Sequence, residues 1–379
     1  MFQAPYPDDT RAMMKLYIGL MSGTSMDGID AALVDLTTNT LVTGITCSYS
    51  EETRTFLRAV LSGEITGMAA LCQLNHLIGK EFAFAVQQLL ETAMITPQQV
   101  IAIGSHGQTI AHDATANIPY TLQLGCAHTI AELTGITVVA DFRTRDLVVG
   151  GRGAPFAPIY HQVLFGQMDY PCVIVNIGGI ANVTFLNAGG SCGYDTGPGN
   201  CLMDMWVQRH LGYSYDEAGR WGATGQVVKP LLTALLADPY FKRLPPKSIG
   251  KEYFSDSWLL NYLGSDYTKQ DVQATLLMLT ATTISQAVKA ADKQPKRLMI
   301  CGGGAHNTAL CLELARLLPD LIVDSTQSVG IDPDFIEAMM FAWLAEKTLS
   351  QISLDLSGIT GANKPVILGA VYYSSQAKG

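Results

Sequence analysis

The sequence predicts an α/β protein of two domains, and three observations carry that expectation. Apolar runs of strand length alternate with helix-like stretches, as in VIAIGSHGQTI, AHTIAELTG and TVVADF, which implies a mainly parallel sheet. A strand, a glycine-rich turn and a returning strand occur twice, around Gly23 and around Gly178, so each half carries its own hairpin. The 379 residues suffice for two domains that each bury a core, with room for a cleft between them.

Composition narrows the function classes. Charged residues are 15% against 48% hydrophobic, which describes a well-buried chain without a long disordered tail. A net charge of −9 and the lack of any Lys/Arg cluster argue against a nucleic-acid surface, since phosphate backbones are bound through clustered cations. The eight cysteines have no paired spacing, so they read as thiols of a reducing compartment, not as disulfides or zinc ligands. Apolar runs fall short of the roughly 20 residues that a membrane-spanning helix needs. The start, MFQAPYPDDTRAMMKLYIGL, lacks the basic region and long apolar core of a secretory signal, and a cytoplasmic protein is expected.

In chain order, KLYIGLMSGTSMDGIDAALVDL (15–36) reads as strand, loop and returning strand. Its loop, Ser22, Gly23, Thr24, Ser25, Met26, Asp27 and Gly28, offers backbone N–H groups and hydroxyls that suit a phosphate chain. It is not a Walker loop, because no Gly-Lys-Ser/Thr follows and a strand comes next; an ordinary Asp-Gly hairpin is the alternative. From Met68 to Met94, Leu71, Leu74, Leu77, Ile78, Phe82, Val86 and Leu89 share one stripe of a core helix. After Pro97 a buried strand ends in Ser105-His106-Gly107-Gln108, where an open α/β sheet faces its ligand crevice. His106 is there either as a substrate contact or as a satisfied buried imidazole. DFRTRDLVVGGRGAPFAP (141–158) breaks the pattern with glycines, prolines and arginines and marks the domain junction. Guanidinium forks suit carboxylate or phosphate, and that reading is favoured over linker charge for Arg143 and Arg152, not for Arg145.

The second half opens with PCVIVNIGGIANVTFLN, a second strand–turn–strand unit. Two such turns in separate domains could grip one polyphosphate from both sides. GYDTGPGN (193–200) then places Asp195 among residues of backbone freedom, ahead of the helix-like CLMDMWVQRHLGY. Asp195 is the candidate catalytic group, set in a loop beside a helix start whose unpaired N–H groups suit a phosphate or a charged transition state; a turn brace is the alternative. Lys229 to Leu263, with aromatics around Tyr240 and Phe254, reads as packing without chemistry. RLMICGGGAHN follows a long helical pattern, and Gly302, Gly303 and Gly304 would let a flat ring such as adenine lie against backbone. Asp332 and Asp334 are accounted for by the dipole of the helix that follows, whereas Glu337 lies on that helix among apolar neighbours and is a candidate site residue.

SGTSMDGID, SHGQT, GRGAPFAP, NIGGIAN, DTGPGN, CGGGAHN and EAMMFAWLA, in this order between Lys15 and about Tyr373, resemble the bacterial 1,6-anhydro-N-acetylmuramic acid kinases. The resemblance implies the actin-like ATPase (ribonuclease H-like) fold shared with hexokinases and Hsp70 chaperones, with an ATP cleft between two α/β domains. Residues 1–141, completed by 331–379, would form the first domain and 142–330 the second. It further implies a homodimer in the cytoplasm, a role in peptidoglycan recycling, and ATP with Mg2+. By motif, Ser22, Gly23, Thr24, Ser25, Met26, Asp27, Gly28 and Ile29 would bind the ATP phosphates, with Asn176, Gly178 and Gly179 from the second hairpin and Gly302 to Gly304 beside the adenine. Asp195 would be the base, and Ser105, His106, Gly107, Gln108, Arg143, Arg152, Thr196 and Glu337 would line the sugar site. Relatives in the wider superfamily carry an Asp two residues before the first loop glycine to organise magnesium; here that position is Met21, which leaves the metal's protein ligands open. The expected reaction opens the anhydro ring and phosphorylates the 6-oxygen. A hexokinase-like kinase of a free hydroxyl is the first alternative. A non-catalytic nucleotide-gated module is the second, for which no residues remain to build a peptide-binding domain.

Overall fold

The computed structural model describes residues 14–23, 28–168, 171–187, 190–245, 247–250, 253–264, 266–291 and 295–375. The chain forms two compact units, Met1–Ala154 with Glu337–Gly379, and Pro155–Ile336.

The first unit opens with β1 (Leu16–Ser22), β2 (Ile29–Asp35) and β3 (Thr40–Cys47), followed by α1 (Glu51–Leu61), α2 (Met68–Ala93), β4 (Ala102–Asp113) and β5 (Tyr120–Leu124). Helix α3 (Ala127–Thr134), β6 (Val138–Ala140) and α4 (Phe142–Val148) complete its first stretch. The second unit holds α5 (Ala157–Phe165), β7 (Cys172–Ile177), β8 (Ile180–Asn187), β9 (Gly190–Pro198), α6 (Cys201–Leu211), α7 (Lys229–Leu236), α8 (Asp256–Leu260), α9 (Lys269–Lys289), β10 (Arg297–Cys301), α10 (Thr308–Leu317) and β11 (Ile322–Ser325). Helix α11 (Ile336–Leu349) and β12 (Ala370–Tyr372) return the chain to the first unit.

The two sheets repeat one topology. In the first the order is β12-β6-β4-β1-β2-β3, with β5 added to β4; in the second it is β11-β10-β7-β8-β9. Each has an antiparallel three-strand meander whose first strand then pairs in parallel with a later strand, β4 in one unit and β10 in the other. With β5 left out of the count, the order of the first five strands within each unit is 3-2-1-4-5 in both sheets. The sheets are thus mixed, not mainly parallel. The strand–helix alternation that suggested parallel pairing describes only the later part of each unit, while each meander contributes two antiparallel pairs.

Apolar spacing decides the layers. On α2, Leu74, Ile78, Phe82, Val86 and Leu89 have no exposed surface and pack with Ile18, Leu20 and Ile103 of the sheet. Each such side chain contributes roughly 1.5–3 kcal/mol on burial. In the second unit Leu276, Leu279 and Ile284 of α9 do the same for Val175, Val183 and Ile300. No helix among the described residues is long and apolar enough to cross a membrane, and none of the eight cysteines is in a disulfide.

Two local expectations change. Strand β4 does not stop at Gln108 but runs on to Asp113, because Gly107 takes φ +78 and absorbs a register shift between the pairs Leu20–Ser105 and Ser22–Gln108. Asp195 is not in a loop: β9 continues to Pro198, and Asp195 pairs with Asn182 beside a bulge.

Candidate active site

In the first unit, two glycines seat the helix that carries Glu337. A Cβ on Gly19 of β1 would lie 1.7 Å from the carbonyl oxygen of Ala338, and one on Gly104 of β4 would lie 1.9 Å from that of Phe341. Helix α11 therefore rests with its backbone directly on the two central strands, its residues 338–345 buried. That contact fixes the first turn of α11, and with it the half-buried Glu337. Burial pushes the Glu337 carboxyl up, the charge of Asp30 pushes it further, and Arg143 opposes both. Asp30, on β2, accepts a hydrogen bond from Thr46 Oγ1 at 2.7 Å.

Arg143 also organises the histidine. Its Nε donates to His106 Nε2 at 3.0 Å and its Nη1 to the carbonyl of Gly153 at 3.3 Å. Since Nε2 accepts, the neutral imidazole carries its proton on Nδ1. Burial and the adjacent guanidinium hold the His106 pKa well below the ordinary value, against the opposing carbonyls of Gly107 and Ser22. The ring packs on Phe341 with centroids 4.8 Å apart. Ser105 Oγ and His106 Nδ1 are buried without a partner of hydrogen-bonding geometry among the described residues, so a hydroxylated ligand would find polar groups to satisfy.

The GRG segment is held by a residue that the sequence reading missed. Asp146 is fully buried; its Oδ2 accepts from Gly153 N–H at 2.6 Å and its Oδ1 from Thr360 Oγ1 at 2.8 Å. Gly151 lies against the same carboxylate, where a Cβ would meet Oδ2 at 2.2 Å, and Arg152 N–H donates to Thr360 O at 3.1 Å. Burial raises the Asp146 pKa, opposed by these bonds. Arg145, not favoured as a site residue, donates to the carbonyl of Ile367.

The first glycine loop is described only at its ends, and Thr24, Ser25, Met26 and Asp27 lie outside the described residues. Ser22 Oγ lies 2.9 Å from both Gly28 O and Gln108 Oε1, which share its single O–H as acceptors, while Gln108 Nε2 donates to Gly23 O at 3.2 Å. Tyr49 OH donates to Ser22 Oγ at 3.0 Å. Both polar atoms of Gln108 thus brace the mouth of the loop, and buried Ile29 starts β2 just beyond it.

In the second unit the glycine turns converge at the C-terminal ends of the parallel strands β7 and β10, where α/β sheets bind ligands. Gly302 takes φ +75, and a Cβ there would meet Asn176 Oδ1 at 2.3 Å. A Cβ on Gly304 would meet Ile177 at 2.4 Å, and Asn200 Nδ2 donates to Ile177 O at 3.0 Å. Gly178 and Gly179 do not leave the start of α6 open as expected. Their carbonyls accept from the N–H groups of Gly199, Asn200 and Cys201 at 2.8–3.2 Å, and Thr280 Oγ1 donates to Pro198 O and Gly199 O. Thr196 Oγ1 donates to Ala181 O at 3.1 Å.

Asp195 itself is clamped by the stretch that reads as plain packing in the sequence. Its N–H donates to Lys247 O at 3.2 Å, its carbonyl accepts from Tyr240 OH at 2.7 Å, and its Oδ2 accepts from Ile249 N–H at 2.9 Å. The only signal for this was the aromatic density around Tyr240. Asp334, assigned to the helix dipole alone, also meets His306 Nε2 at 2.9 Å. Among the described residues no group of three or more His, Cys, Asp or Glu side chains gathers as for a resident metal.

Chemically, the second unit offers one oriented carboxylate with glycine turns nearby in the same sheet. The first offers a neutral imidazole, a guanidinium and a carboxylate whose ionisation is resisted. A family model described as Anhydro-N-acetylmuramic acid kinase matches residues 15–374. A protein of that name from Legionella pneumophila (strain Corby) is 58% identical over 360 residues, covering 95% of this chain and 98% of its own. One from Xanthomonas oryzae pv. oryzae (strain MAFF 311018) is 46% identical over 365 residues, covering 94% and 97%. Among solved structures, the activator of the 2-hydroxyisocaproyl-CoA dehydratase from Clostridium difficile with bound ADPNP is similar at 13% identity and a TM-score of 0.48, covering 89% of this chain and 97% of its own. A ROK family glucokinase from Streptomyces griseus in complex with glucose and AMPPNP is similar at 12% and 0.41, covering 88% and 99%. Both structures are too distant to bear on the site.

Proposed function

The chain belongs to the anhydro-N-acetylmuramic acid kinase family and is a sugar kinase, and from that premise we propose how its residues divide the reaction. The chain uses ATP to open 1,6-anhydro-N-acetylmuramic acid and phosphorylate its 6-oxygen, giving N-acetylmuramate 6-phosphate and ADP. The observation that carries this reading is the clamp on Asp195, which presents one oriented carboxylate.

Opening the bridge between the anomeric carbon and the 6-oxygen needs a water at one end and an acceptor at the other. A glycosidase supplies two carboxyl groups for this. Here Asp195 takes the proton of the water as its oxygen bonds to the anomeric carbon. The bond from that carbon to the 6-oxygen breaks, and the 6-oxygen bonds to the γ-phosphorus as ADP leaves. One base then serves both halves of the reaction.

Glu337, Arg143, His106, Ser105 and Arg152 would hold the sugar, the His106 Nδ1–H and the guanidinium as donors and the Glu337 carboxylate as acceptor. Gly107 and Gln108 would shape that site and the loop mouth, with Thr196 supporting the strand of Asp195. Asn176, Gly178, Gly179 and Gly302 to Gly304 would line the nucleotide, and Ser22 to Ile29 its phosphates. Magnesium, carried mainly by phosphate oxygens and water, needs only one or two carboxylates from a protein and would neutralise charge on the phosphates. We place the reaction in cytoplasmic peptidoglycan recycling, by a homodimer.

The test is ADP release with 1,6-anhydro-N-acetylmuramic acid and with open-ring N-acetylmuramic acid. Turnover with the anhydro sugar alone supports the reading. Equal or faster turnover with the open ring would make the chain a hexokinase-like kinase of a free hydroxyl.

A further inference from the structure

We propose that Lys247 is a positioning residue for Asp195, its ammonium group keeping the carboxylate ionised while the backbone of residues 247–249 fixes its orientation. The proposal rests on Asp195 as the base.

The segment is built against the strand, not loosely draped over it. Asp195 exchanges one backbone bond with Lys247 and accepts one on Oδ2 from Ile249, so the side chain of the intended base is turned by the same short stretch that carries the lysine. Tyr240, with no exposed surface, ties the carbonyl of Asp195 to a rigid support. That support centres on buried Asp238, which accepts from Tyr240 N–H at 2.8 Å, Tyr253 OH at 2.9 Å and Trp258 Nε1 at 2.9 Å. Phe254 and Tyr253 pack on the Tyr240 ring at 5.8 and 6.2 Å between centroids.

The position of the cation is specific. Lys247 Nζ lies 4.8 Å from the centroid of the Tyr240 ring and 5.9 Å from that of Tyr194, the residue preceding Asp195. Two aromatic faces hold an ammonium group where water is partly excluded, which strengthens its action on a nearby carboxylate. Tyr194, Tyr240, Arg243 and Lys247 are among the ionisable groups that act on this spot with Asp195. Burial pushes the Tyr240 phenol far up, so it stays neutral beside the two cations and the carboxylate. Burial and Arg243 lower the lysine pKa, while the charge of Asp195 opposes them.

A base that must be ionised gains working range on the acid side from a neighbouring cation. The experiment compares the parent enzyme with Lys247→Met, Lys247→Gln, Lys247→Arg and Asp195→Asn, following kcat/KM for the anhydro sugar by ADP release from about pH 3 to about pH 8. The acid limb should move up by about one pH unit in the Met and Gln variants, a loss of roughly tenfold on that limb, and stay in place in the Arg variant. Nucleotide binding by calorimetry should be unchanged in all three, which shows the fold intact. An acid limb unmoved in both neutral variants, with Asp195→Asn inactive, overturns the role of Lys247 and leaves the base in place. An active Asp195→Asn overturns the base and, with it, this proposal.

Discussion

Replacing Gly104 with alanine should displace the helix that bears Glu337. The added Cβ would sit 1.9 Å from Phe341 O, 2.6 Å from its carbonyl carbon and 3.1 Å from Ala345 Cβ. Two of these three neighbours are backbone, so no rotamer change relieves the clash. The helix must retreat by about 1.1 Å to bring the closest contact to 3.0 Å, the lower edge of real Cβ contacts. Overpacking of this kind costs about 1–3 kcal/mol and sometimes more, and an unyielding backbone puts Gly104→Ala at about 3 kcal/mol or above. For a unit of this size each kcal/mol lowers the melting temperature by about 2–4 °C, so the midpoint should fall by about 6–12 °C. Sugar affinity should fall with it, because Glu337 moves with the first turn of α11, while nucleotide affinity, held in part by the turns of the second unit, should fall less. Differential scanning calorimetry and isothermal titration on one preparation read both effects. A melting temperature within about 1 °C of the parent would refute the claim that α11 lies backbone-on-strand at Gly104.

Two further outcomes follow from the buried ionisable groups. Glu337→Gln should weaken sugar binding but not nucleotide binding. It should also hold or raise the melting temperature near neutral pH, because a carboxyl whose folded pKa is raised costs stability once pH climbs above its unfolded value; a drop of several degrees would make Glu337 a structural residue. His161, buried with Nδ1 at 2.9 Å from Thr184 Oγ1, is held neutral by burial down to about 3. Its folded pKa is depressed, so the unfolded chain binds the extra proton, and stability is full above about pH 6.5 and falls below it by about 1.4 kcal/mol per pH unit. In His161→Gln the melting temperature should depend less steeply on pH between about 6.5 and 4, and an unchanged slope would contradict this.

Some of this architecture is legible in the sequence for clear reasons. The α2 stripe and the two strand–turn–strand units are local patterns, and local periodicity reports them directly. The glycines of β1 and β4 are as plain in the sequence, but their reason is not. Gly19 and Gly104 are glycines because α11, over 230 residues away, presses its backbone on them, and no local pattern carries that contact. The start of α6 looks open for an anion because its neighbours are glycines; the N–H groups of its first residue, Cys201, and of Gly199 and Asn200 just before it are in fact taken by the carbonyls of Gly178 and Gly179 on another turn. Asp195 stands out by its surroundings, yet its clamp comes from Tyr240, Lys247 and Ile249, whose spacing resembles ordinary packing. Asp146 was hidden for the same reason, since its partners Gly153 and Thr360 lie 7 and 214 residues away.

The central claim is that one base, Asp195, serves ring opening and phosphoryl transfer as a single event. Asp195→Asn keeps the side chain's size and its acceptor toward Ile249 N–H, but it cannot take a proton from water. Incubated with ATP and the anhydro sugar, and followed for ADP and opened sugar separately after a thermal melt confirms folding, it should lose both products together by about 10²–10⁴ in turnover. Near-parental formation of ADP and sugar phosphate would make Asp195 a strand residue without catalytic duty, and an opened ring without ADP would contradict the coupling of the two steps.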